Sequence, residues 1–172
     1  NFLQADEMLN PDVYLALADQ AKKVGLPIGG HLPLQVHMRD AINAGMHSFE
    51  HLRNWNVACS SKSDSLIAFA TSMIERGKAS PGMRLRSSIQ AAINQTAYDS
   101  FDAAKCDALI TQAVAHDAWE TPTLGLNVQR AFGFDTTERF QKWVPYLADS
   151  MSLSWSGTAP TPPATPGPTR TV

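Results

Sequence analysis

No run of lysine or arginine in this chain exceeds two residues, and 14 basic against 16 acidic side chains give a formal charge of -2. That leaves no basic footprint for nucleic acid or for an anionic membrane surface, so a small molecule is the expected partner. Cysteine is scarce. Cys59 and Cys106 stand far apart and outside any CxxC, which fits neither a zinc knuckle nor a disulfide-dense scaffold, and both are expected as buried, unbonded thiols. No apolar stretch approaches the roughly 18 residues needed to cross a bilayer. The opening NFLQADEMLN has neither the basic start nor the apolar middle of a signal peptide. It also does not open on Met, so the chain is expected to begin inside a longer gene product.

What is present is enough apolar material for one core: 44% of 172 residues are hydrophobic. In NPDVYLALADQAKKVGLPIGGH, Asn10 is placed to cap a helix whose first turn takes Pro11 and Asp12. Val13, Leu17, Ala21 and Val24 share one helical face, Lys22 and Lys23 fall in the last turn, and Gly25 is a left-handed stop. LPIGGH then reads as a short buried strand. The unit repeats at once, with Leu34, Met38, Ala41 and Ile42 on a helical face, Gly45 as the stop, and MHSFEH as the next strand. Two such units in series predict a parallel sheet and an α/β fold.

After His51 the pattern turns helical in SDSLIAFATSMIERG, RLRSSIQAAINQT and DAAKCDALITQAVAHD, an insertion over about residues 60–118. WETPTLGL reads as a third strand, and TTERFQKWVPYLADS as a helix with Phe140, Val144 and Leu147 on one face. Residues 1–156 are thus expected to form the folded domain. The tail 157–172 holds five prolines in sixteen residues and little apolar bulk, and it is expected to be disordered.

Residues at the carboxyl ends of neighbouring parallel strands lie side by side, with the strands about 4.8 Å apart. His31 and His51 should therefore converge at the end of the sheet where α/β folds place their chemistry. Neutral imidazole is a common zinc ligand, so the pair reads either as half of a metal site or as two hydrogen-bonded core histidines. Gly29 and Gly30 remove bulk just before His31 and allow a close approach. Arg53, Asn54 and Trp55 follow His51 directly, where active-site loops recruit substrate contacts. Glu50, next to His51, is expected on the other side of the strand, in an ion-pair or supporting role. His47 is assigned a structural role. His37 and His116 are read as solvated or locally bonded, and Asp64 and Asp102 as helix-start residues.

The stretch GGHLPLQVHMRDAINAGMHSFEHL resembles a segment of the metal-dependent amidohydrolases, in particular the imidazolonepropionase-like and prolidase-like branch. There a G-H-x-P motif is followed by A-x-x-A-G-x-x-S-x-E-H, and WETPTL is similar to that branch's next strand. The resemblance runs over about residues 5 to 150 and is strongest from 28 to 52. It implies a partial (β/α)8 TIM barrel, about strands five to seven, with His31 closing strand five and His51 closing strand six as ligands of a divalent metal, zinc above all. It implies a hydrolase of amide or other C–N bonds, with a dipeptide or cyclic amide as substrate class. The family's first-strand His-x-His pair, its strand-four lysine and its Gly-Thr-Asp are absent from the sequence; the lysine is expected shortly before Asn1 and the aspartate near or beyond the tail. The chain is therefore expected to be a fragment, inactive by itself, whose partner is the missing remainder of the barrel. The other reading is a non-catalytic α/β or helical interaction module with structural histidines.

Overall fold

The computed structural model describes residues 1–78, 82–125 and Tyr146. The chain divides into two compact units, residues 1–123 and 124–172. The helix expected around Phe140 and the proline-rich tail lie outside the described residues.

The helix expected after Asn10 forms as α1, Pro11–Val24, with the Asn10 side chain accepting from the Asp12 N–H and Gly25 closing it at φ 69. Its buried face is Tyr14, Ala18 and Ala21, while Val13 and Val24 are half exposed. On each side of α1 lies a strand. β2, Ile28–Gly30, is the strand expected before His31; β1, Leu3–Ala5, precedes it and pairs with it in parallel. Gly30 is required by that pairing. Its φ is +110, and a Cβ there would come within 2.6 Å of the Ala5 carbonyl oxygen. The close approach that Gly30 allows is thus the backbone of β1, whereas Gly29 lies against Ser48, and the His31 N–H donates to the same Ala5 carbonyl at 3.0 Å.

A short helix α2, Met38–Asn43, leads to β3, Ser48–Glu50. A parallel bridge between Ile28 and Met46 and the His47 N–H to Ile28 O bond of 2.8 Å set β3 beside β2. Four helices follow: α3 (Trp55–Ala58), α4 (Ser63–Gly77), α5 (Met83–Asp99) and α6 (Ala103–Ala115). The chain then returns as β4, Trp119–Thr121, parallel to β3 with Glu50 opposite Thr121. The result is mixed α/β, with short parallel strands following one another in chain order and no closed barrel among the described residues.

Two apolar clusters hold this arrangement. One joins α1, α2 and α6 to the strands through Tyr14, Ile28, Ile42, Met46, Phe49 and Leu109. The other lies within the helical insertion and the loop after β2, with Leu34, Leu66, Ile89 and Ile93. Between them, Cys59 at the end of α3 is disulfide-bonded to Cys106 in α6. This corrects the expectation of two unbonded thiols. Sequence separation says nothing about proximity, and here an antiparallel bridge between Ser60 and Phe101 brings the start of α6 back against the end of α3.

Tyr14 supplies a stability test. The residue is fully buried, its hydroxyl has no hydrogen-bond partner among the described residues, and burial pushes the phenol up to about 12. A buried unsatisfied hydroxyl costs about 1–3 kcal/mol. Tyr14→Phe is therefore expected to leave stability to urea unchanged or to raise it by about 1 kcal/mol. A loss larger than that would reveal a partner for the hydroxyl.

Candidate metal centre

Each histidine reaches the site because a three-residue strand ends just before it. Gly30 and Glu50 close β2 and β3, and the chain then leaves the sheet at His31 and at His51. The two rings stand with centroids 5.1 Å apart and planes at 38°. Glu50 lies with them: its Oε2 is 3.4 Å from His31 Nε2 and 3.6 Å from His51 Nε2. All three side chains are mostly buried, at 18%, 20% and 29% exposure for His31, His51 and Glu50.

The position of Glu50 corrects the expectation that it points away from His51. Alternation of side chains requires extended backbone on both sides. Here the strand stops at Glu50, and His51, Leu52 and Asn54 take left-handed φ values of 69, 57 and 63. With its backbone turned, His51 projects to the same side as Glu50. Non-glycine residues in that region cost of order 1 kcal/mol each and cluster where surrounding structure holds a site in shape.

Donor chemistry fits a metal ion. Two ligands on one tetrahedral zinc, each about 2.0–2.1 Å from it, lie about 3.3 Å apart, close to both carboxylate–imidazole separations. One ligand atom from each residue falls within 4.8 Å of the others. His31 Nε2 is buried without a hydrogen bond among the described residues, since its 3.4 Å contact with Glu50 is not aligned as one. On the far side of the rings, His51 Nδ1 meets Thr123 Oγ1 at 2.6 Å, and His31 Nδ1 lies 4.0 Å from Asp6 Oδ2. The Thr123 contact holds the His51 ring with its Nε2 toward Glu50.

No protein-family model, curated protein or solved structure matches this chain.

The three residues expected to meet substrate all have partners in the protein. Arg53 Nη1 donates to Glu7 Oε2 at 2.9 Å, Asn54 Nδ2 to Leu32 O at 3.1 Å, and Trp55 Nε1 to Glu120 Oε2 at 2.8 Å. They hold the turn after β3 in place. His47 is exposed and outside the cluster; His37 precedes α2, with Nε2 3.8 Å from Asp64; His116 ends α6. Asp64 falls in the first turn of α4, and Asp102 caps α6 by accepting from the Lys105 N–H, as their sequence positions imply.

Sequence reasoning missed Glu7 and Glu120. Neither belongs to a motif, and their partners lie from 46 to 83 residues away. Burial raises the Glu120 carboxyl above the usual range; the bonds from Leu52 and Trp55 pull it down, and the Glu50 charge adds to the rise.

Proposed function

We propose that His31, Glu50 and His51 bind a divalent metal, zinc above all, and that the chain is part of a metal-dependent hydrolase of amide or other C–N bonds. The convergence of three donor atoms from the ends of two adjacent parallel strands carries this reading. Two histidines and one carboxylate, with a coordination position left open, are a donor set that catalytic zinc uses. A bound ion of this kind lowers the pKa of water and polarises a carbonyl. Glu50 raises the number of donors within the chain from the two histidines to three, so metal binding needs no segment from outside.

The amidohydrolase resemblance is the basis for the reaction class and for dipeptides or cyclic amides as substrates. In favour of a partial (β/α)8 barrel are four parallel strands in chain order, the first three joined by helices, with the histidines at their carboxyl ends. On that reading β1 takes the place of strand four. Leu3–Ala5 contains no lysine, so the lysine expected before Asn1 has no counterpart on this strand. Among the described residues Asp6 meets the cluster, but from the far side of His31, and the resemblance puts the aspartate that would move the proton on strand eight. The chain alone is expected to turn over neither dipeptides nor cyclic amides, and activity is expected only when the rest of the barrel is supplied.

Isothermal titration of the chain with zinc tests the site directly. One ion per chain is expected, with affinity falling more than about 100-fold in His31→Ala and in His51→Ala, beyond what loss of an outer contact costs. Absence of binding, or equal binding by both variants, would favour the module with structural histidines.

A further inference from the structure

The cluster exists because the chain turns sharply after Glu50. If the backbone continued extended, alternation would send His51 to the face opposite Glu50 and the three donors would not meet. A left-handed turn of non-glycine residues does not persist by itself, so the structure around it must hold it.

Several contacts bear on this turn, and one residue grips it twice. Glu120 accepts the backbone N–H of Leu52, inside the left-handed run, through Oε1 at 2.8 Å. Through Oε2 it accepts the indole N–H of Trp55, at the first residue of α3, also at 2.8 Å. The same strand contributes the Thr121 carbonyl, which takes the His51 N–H at 2.8 Å. In the β3–β4 register Glu120 stands opposite Phe49, which is buried in the core cluster, whereas Glu50 stands opposite Thr121. Glu120 is therefore on the face away from the metal donors and acts behind the turn. Asn54 and Arg53 are held from other directions, by Leu32 O and Glu7, and neither of those contacts reaches the backbone of the left-handed residues.

We infer that Glu120 is the positioning residue of the centre: by clamping Leu52 and Trp55 it fixes the turn that places His51 on the same side as Glu50. This rests on the metal-site reading for its consequence but not for its geometry. Glu120 ligates nothing. Glutamine, of the same shape, can still accept one of the two bonds, whereas alanine accepts neither.

Two measurements on the whole chain separate the claims. The first uses no metal: nuclear Overhauser contacts between the His31 and His51 rings in histidine-labelled protein. These are expected in the wild type, absent in Glu120→Ala and retained at reduced strength in Glu120→Gln. The second is titration with cobalt(II), read by its visible absorption. Affinity is expected to fall about 10–100-fold in Glu120→Ala, with an altered spectrum as one imidazole is withdrawn, and to recover in part in Glu120→Gln. Undiminished ring contacts in Glu120→Ala overturn the inference. If the ring contacts vanish in that variant while the wild type binds no metal, Glu120 keeps its positioning role and the metal reading falls. Should Glu120→Ala lose its cooperative melt, Trp55→Phe removes one of the two bonds; weakened ring contacts in a folded variant support the clamp, and unchanged ones reject it.

Discussion

Glu7→Ala is expected to destabilise the chain by about 3–5 kcal/mol, the usual cost of removing one partner from a buried ion pair. Glu7 is 1% exposed, and its Oε2 receives Arg53 Nη1 at 2.9 Å and Arg86 Nη1 at 2.6 Å, while Oε1 receives Gln90 Nε2 at 3.1 Å. Two guanidiniums at 13% and 17% exposure would be left facing a void without a counter-charge. Arg86 Nε already lacks a hydrogen bond among the described residues, so that side chain has little reserve. The network also joins three parts of the fold: the segment after β1, the turn after β3 and helix α5. The i,i+4 pair Lys23–Asp19 on α1 gives the contrast, with both side chains more than 60% exposed. Such a pair contributes about 0–1 kcal/mol, and Asp19→Ala should scarcely move the urea midpoint. A Glu7→Ala variant that melts like Asp19→Ala would mean that water reaches the network freely.

What could be read from the sequence was local. Asn10, Pro11 and Gly25 fixed both ends of α1, because capping and left-handed stops depend on neighbouring residues alone. Its buried face was less legible: Val13 and Val24 make as regular a stripe as Tyr14, Ala18 and Ala21, and what selects the second is its packing against the strands. β1 was invisible because Leu3–Ala5 is three residues long and is defined by its pairing with β2. At the site, an apolar run ending in histidine was enough to single out His31 and His51. Glu50 was misplaced because alternation was carried one residue past the end of the strand. The cause, a turn clamped by Glu120, lies about seventy residues away in the sequence. Long-range pairings of this kind, Cys59 with Cys106 among them, leave no periodic trace.

Reducing the Cys59–Cys106 disulfide, or replacing both cysteines with serine, should lower stability by roughly 4 kcal/mol, because cross-linking a loop of this length removes that much chain entropy from the unfolded state. The two residues are 47 apart, and the loop they close contains the whole of α4 and α5. Cys59 ends the helix that follows the His51 turn, and α6, which carries Cys106, leads directly into β4 with Glu120 and Thr121. The bond thus ties the segment leaving β3 to the one entering β4. Noncovalent contacts support the same junction: Asp102 N–H to Cys59 O at 2.8 Å, Ser61 N–H to Ser100 O at 2.8 Å, and Lys105 Nζ to Ser60 O at 2.9 Å. They act in the folded state and survive reduction, so the native fold should persist while the unfolded chain gains freedom. For a chain of this size the loss corresponds to a melting temperature lower by about 8–16 °C. Thermal melts of the wild type with and without a phosphine reductant measure it, and the double serine variant should match the reduced protein and ignore the reductant. Two titratable thiols in the folded, unreduced protein, together with a melt that reductant does not shift, would show that Cys59 and Cys106 are not bonded.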